Sequence, residues 1–159
     1  MRAAARLALA ASGLALAACA GSPPPAPASE DAMLPPCPSS PNCVSSDATD
    51  AAHHVDAFAL AVPAPEAWEA TRRLVAALPR TGIAAETGIY LRAECRSFVF
   101  GFVDDLELEL RPEAHLIAVR SASRVGYSDL GVNRRRVERL RAALVSRGVV
   151  KATQPPPAS

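Results

Sequence analysis

Lysine is almost absent from this chain: sixteen of the seventeen basic residues are arginine, and Lys151 is the exception. Genome composition can produce that bias as readily as chemistry. An excess of charge of either sign is also missing. Seventeen basic residues face sixteen acidic ones, for a net charge of +1, so there is no general electrostatic attraction toward nucleic acid. No Ser-His-Asp, metal-ligand or phosphate-loop pattern is found. The familiar hydrolase, metalloenzyme and nucleotide-binding signatures therefore do not apply, and no metal and no cofactor is expected. The apolar stretch from Leu7 to Ala18 is too short for a helix that spans a bilayer.

What is present begins with MRAAARLALAASGLALAAC. Arg2 and Arg6 precede the apolar stretch, and small residues lead to Cys19. This predicts a signal peptide over residues 1–18. Leu16-Ala17-Ala18-Cys19 resembles the lipobox of bacterial lipoproteins, in which Cys19 would be diacylated and become the N-terminus. An ordinary signal cleaved nearby would instead leave Cys19 unmodified or remove it. Each acyl CH₂ buried in lipid contributes about 0.8 kcal/mol, so such an anchor needs no transmembrane helix. Ala20 rather than Asp after the cysteine suggests, by the same resemblance, onward transport to the outer membrane. The expected location is the bacterial cell envelope, facing the periplasm.

In GSPPPAPASEDAMLPP, six of sixteen residues are proline. Residues 19–36 therefore read as a lipid-anchored, extended tether, and residues 152–159, ending in PPPAS, as a disordered tail. The remaining body, 37–151, has room for one domain with a real core and not for two. Removing Arg2 and Arg6 would leave 15 basic against 16 acidic residues.

Three cysteines remain besides Cys19. CPSSPNC turns the chain between Cys37 and Cys43 with two prolines and an asparagine, and an oxidising compartment favours a disulfide there. Zinc is disfavoured because His53 and His54 are adjacent rather than at a ligand spacing. Cys95 reads as a buried, small apolar residue.

The body alternates strands and helices. VDAFALAV, 55–62, predicts a strand, and Pro63 and Pro65 then open a helix over Glu66–Leu78, ended by Pro79 and Gly82. IAAETGIYLRAE predicts a hairpin around Thr87-Gly88. SFVFGFVDDLELELRP reads as one long strand. Phe98, Phe100, Phe102, Leu106, Leu108 and Leu110 share its buried side with Asp104, while Asp105, Glu107 and Glu109 point away. HLIAVRSAS is a further strand. VNRRRVERLRAALVSRG is an amphipathic helix with core residues Val137, Leu140, Leu144 and Val145, candidate N-cap Asn133 and stop Gly148. The fold class that follows is α+β: a single domain, mostly antiparallel sheet of about four to five strands with two helices packed on one face.

CPSSPNCVSS, FGFVDDLELEL and IAVRSASRVGYSDLGVNRRRVERLR closely resemble the domain-of-unknown-function family 1499. The resemblance covers essentially the whole body. It implies a bacterial envelope protein and brings no activity or catalytic set. Cys95 stands where the family pattern leads one to expect an aromatic residue, which supports a packing role.

The third of these segments places Arg134, Arg135 and Arg136 in the first turn of a helix, where the macrodipole disfavours cations. In a structural reading Asp104, Asp105 and Asp129 pair with arginines from Arg120, Arg124 and Arg134–Arg136, while Tyr127 packs its ring. In a binding reading Arg120, Arg124, Arg134 and Arg135, with Ser121, Ser123, Ser128 and the helix-start amides, cradle an anionic small molecule, a lipid headgroup or an envelope protein. In a catalytic reading Asp104 and Asp105 act with Tyr127 or His115, but neighbouring strand residues face opposite sides. The expectation is a non-catalytic binding or structural domain, attached to a membrane by its N-terminal lipid. An uncharacterised envelope enzyme using Asp104, Asp105 and Tyr127 is the alternative.

Overall fold

In the computed structural model, which describes residues 34–98 and 101–153, the longest strands follow one another as a meander. The elements are β1 (Cys43–Ser45), β2 (Phe58–Ala59), α1 (Ala64–Ala76), β3 (Thr81–Glu86), β4 (Tyr90–Arg96), β5 (Val103–Arg111), β6 (Leu116–Ser123) and α2 (Val132–Val145). The expected signal peptide, Cys19, most of the tether and the end of the tail lie outside the described residues. The sheet order is β1-β6-β5-β4-β3, with β2 also paired to β6, and every strand pair is antiparallel. This is a mostly antiparallel sheet with two helices, of the α+β class.

Sequence parity sets the sheet's two faces. On β5, Leu106, Leu108 and Leu110 join a core cluster with Leu91 and Ala93 of β4 and Ile117 and Val119 of β6. Ala67, Trp68 and Val75 of α1 and Val137, Leu140 and Leu144 of α2 belong to the same cluster. Each of these large side chains contributes roughly 1.5–3 kcal/mol through removal from water.

The second face is buried too, which alternation alone did not reveal. Asp105, Glu107 and Glu109 are all buried, as are Arg92 and Arg120. The ladder explains why: Glu107 stands opposite Arg92 on β4 and Arg120 on β6, so opposite charges alternate across three strands. Leu34, in the segment expected to be tether, packs here against Tyr90, Ala118 and Leu116.

Several local expectations are corrected. The long strand does not begin at Ser97. The Ser97 amide donates to the Phe102 carbonyl at 2.8 Å, and the Phe102 amide donates to Ser97 Oγ at 3.0 Å, tying Ser97 to Phe102 across the β4–β5 connection. Gly101 adopts φ +66° there, a backbone state that a glycine enters at little cost. Phe98 and Phe102 are therefore exposed rather than core, and Phe100 lies outside the described residues. The strand expected over 55–62 contributes only Phe58–Ala59 to the ladder, with Leu60 bridging Val150.

Asn133 is not the N-cap of α2. Gly131 occupies that position, and no cap side chain bonds from it. Asp129 does the capping from two residues earlier: its Oδ1 accepts from the Gly131 amide at 2.9 Å and its Oδ2 from the Asn133 amide at 2.6 Å. That carboxylate also meets the positive end of the helix dipole. Cys37 and Cys43 form a disulfide, beside the β1 edge of the sheet.

Candidate functional site

The three segments that carried the family resemblance meet at one end of the sheet. Asn42 enters from the disulfide loop, Asp104 from the start of β5, Ser121 and Ser123 from the end of β6, and Asn133 and Arg136 from the first turn of α2. Asn133 is fully buried at their centre. Its Nδ2 donates to the Asn42 carbonyl and to Ser123 Oγ, both at 3.0 Å. Its Oδ1 accepts from Ser121 Oγ at 2.7 Å and from Arg136 Nη1 at 2.5 Å. Every donor and acceptor of the amide is thereby used, as a buried polar group requires.

Arg136 extends this network to the acidic strand. Its Nη2 donates to Asp104 Oδ2 at 2.6 Å and its Nη1 to Ser121 Oγ at 2.9 Å. Asp104 thus sits among apolar positions without a bulge, because a helix-borne guanidinium reaches it. Cys95, opposite Asp104 in the ladder, is buried and unpaired, and Thr81 Oγ1 donates to its sulfur at 3.6 Å. Burial pushes the Cys95 thiol up, against the pull of Arg136. The result is a thiol with little thiolate character.

A cleft of about 390 Å³ opens over this network. Asp104 and Ser123 belong to its floor, Ser97 and Phe102 to one wall, and Val125, Gly126, Asp129 and Val132 to the other. The Asn42 side chain donates to the Gly126 carbonyl at 2.6 Å, which holds the second wall in place.

The four arginines expected to converge are not brought together. Arg120 pairs with Glu107 on the second face, and Tyr90 donates its hydroxyl to the same carboxylate at 2.9 Å. Arg124 holds Asp105 through two bonds, at 2.8 and 2.7 Å, and Glu94 at 2.7 Å. The bond from Arg124 holds the Glu94 carboxyl below its usual range. Arg134 donates to the carbonyls of His54 and Ala52, and Arg135 to that of Leu130 at 2.8 Å. Asp129, expected to bridge Arg134, is the helix cap instead. Tyr127, expected to pack its ring, is largely exposed. Asp104 and Asp105 lie on opposite faces, each committed to a different arginine.

The model of the family described as "protein of unknown function (DUF1499)" matches residues 33–144. The chain belongs to that family. No curated protein and no solved structure matches the chain. The start of the match at residue 33 fits the packing of Leu34 onto the sheet. All the residues of the candidate site, Asn42 through Arg136, fall inside the matched span.

Sequence reasoning had singled out most of the charged members. It missed Asn42, whose only signal was an asparagine inside a proline-rich cysteine loop, and it took Asn133 for a cap. Phe102 and Val132 were missed as surface features because they fell inside strand and helix patterns, and nothing in the sequence marked Leu130.

Proposed function

We propose that this DUF1499 chain is a lipid-anchored protein of the bacterial cell envelope whose α+β domain is a non-catalytic binding module. It faces the periplasm from a membrane, held by Cys19 and the tether that follows. Its two helices share one side of a single domain, a reading supported by their common core cluster with the sheet. The cleft between Ser97 and Phe102 on one side and residues 125–132 on the other is the binding site.

One observation carries the binding reading. The ionisable groups nearest the cleft are spent on internal partners: Asp104 on Arg136, Asp129 on the helix-start amides. The walls meanwhile present apolar side chains to solvent. Such a site offers contact surface and shape rather than a poised acid or base.

Two measurements test the parts separately. Cys19→Ser should move the protein from the membrane to the soluble fraction of the envelope; unchanged membrane association would sink the anchor. Arg134→Ala and Arg135→Ala should each lower stability by no more than about 1 kcal/mol, since both arginines donate to exposed carbonyls. If Arg134→Ala, whose guanidinium bonds to the His54 and Ala52 carbonyls, abolished binding to anionic envelope components while leaving stability intact, binding would run through that side of the helix start and not through the apolar cleft.

A further inference from the structure

Among the described residues, the large apolar side chains left exposed are Phe98, Phe102, Tyr127, Leu130 and Val132. All five belong to the two walls of the cleft or to the turns that carry them. Phe98, Tyr127 and Leu130 are 81%, 76% and 84% exposed, so these are projecting tips rather than the edges of core residues. Leu130 also adopts φ 53°, a left-handed conformation that leucine avoids. The fold thus spends backbone strain to present a leucine to solvent, and such strain is associated with functional sites.

The cations beside these tips are unneutralised. The Arg80 guanidinium lies over the Phe98 ring at 5.2 Å, and its Nε donates to the Arg96 carbonyl at 3.2 Å. Arg135 donates to the carbonyl of Leu130 itself. Both arginines are exposed, and both bond to carbonyls, which offset no charge. Of the neighbouring carboxylates, Asp104 is paired with Arg136, while Asp129 bonds only backbone amides and keeps its charge, so among the described residues two unpaired guanidinium groups at the tips face one unpaired carboxylate. Aromatic and leucine tips flanked by outward arginines match a membrane interface, where rings and aliphatic chains enter the acyl boundary and guanidinium groups meet phosphates.

We propose that Phe98 and Phe102, with the loop 125–132, form a membrane-docking face whose partner is a lipid surface bearing anionic headgroups. The proposal rests on the envelope-binding reading above and names the partner of that same site. A lipid anchor would keep the domain close to the bilayer, and the loops would fix which face it turns toward it.

The test uses the full chain carrying Cys19→Ser, so that anchoring and docking are read apart. Tyr127→Trp places a fluorophore on the tip, and the chain's single tryptophan, Trp68, is buried and supplies a constant background. With vesicles containing phosphatidylglycerol, the added signal should shift to the blue and be quenched by brominated acyl chains. Phosphatidylcholine vesicles should bind roughly tenfold more weakly, because the headgroup attraction is lost. Phe98→Ser with Leu130→Asn should abolish the quenching while the urea midpoint holds, since asparagine tolerates the backbone at 130. Absence of bromolipid quenching, or quenching indifferent to those two substitutions, overturns the proposal. A blue shift that grows with protein concentration without vesicles also overturns it, and assigns the face to a second copy of the chain. None of these failures touches the anchor, which the fractionation of Cys19→Ser decides alone.

Discussion

Asn133 Nδ2 donates to the backbone carbonyl of Asn42 at 3.0 Å, across ninety-one residues of sequence. That bond joins the disulfide loop to the first turn of α2. Through the other side of the same amide, it joins both to Arg136 and Asp104. The end of the sheet under the cleft is therefore organised around one neutral side chain with four partners.

Asn133→Ala should destabilise the protein by about 2–4 kcal/mol, measured by urea unfolding. The change removes one bond each from the Asn42 carbonyl, the Ser121 and Ser123 hydroxyls and Arg136 in a buried site. Asn133→Asp should recover little, because a carboxylate cannot donate to the Asn42 carbonyl.

The Asp104–Arg136 pair gives a second expectation. Side chains of both are largely buried, so Asp104→Leu or Arg136→Met alone leaves one charge without its partner and should cost about 3–5 kcal/mol. The double variant should cost distinctly less than the sum of the two. Strict additivity in the cycle would show that the two groups are not coupled.

Tyr90 predicts behaviour at alkaline pH. Burial, followed by the nearby Glu107 charge, pushes its hydroxyl above the ordinary tyrosine range. A pKa raised by folding adds stability that is complete below about pH 10, the unfolded value. It is lost as pH climbs from there through the folded value. Stability measured from pH 8 to 11 should fall on the alkaline side, and Tyr90→Phe should flatten that fall. At neutral pH the same variant should cost about 1 kcal/mol for the lost bond to Glu107.

The Cys37–Cys43 disulfide closes a loop with a sequence separation of six. A loop this small restricts the unfolded chain by about 2 kcal/mol in the chain-entropy picture. Reduction should lower the melting temperature by several degrees without unfolding the domain. Cleft-dependent vesicle binding should weaken too, because Asn42 precedes Cys43 and holds the Gly126 wall.

Much of the fold was legible because it rests on local periodicity. The alternation of Leu106, Leu108 and Leu110 marked the core side of β5, and Thr87-Gly88 marked the β3–β4 turn. The errors fell where two local rules competed. Phe98 and Phe102 alternate like strand residues, yet Gly101 and the Ser97–Phe102 bonds fold them into a turn. Asn133 is a good cap residue, yet the helix already starts at Val132, and Asp129 takes the amides of Gly131 and Asn133.

By itself the sequence determined the element types and the α+β class, because side-chain period and turn chemistry are properties of neighbouring residues. It also determined the family, through three segments read in order. Only the tertiary structure decided which arginine meets which carboxylate, since three adjacent guanidinium groups diverge around a helix and their partners come from distant strands. It alone buried the charged second face, because that depends on what lies across the ladder rather than along the chain. And it alone gathered Phe98, Phe102, Tyr127, Leu130 and Val132 around one cleft, by setting two turns side by side at the end of the sheet.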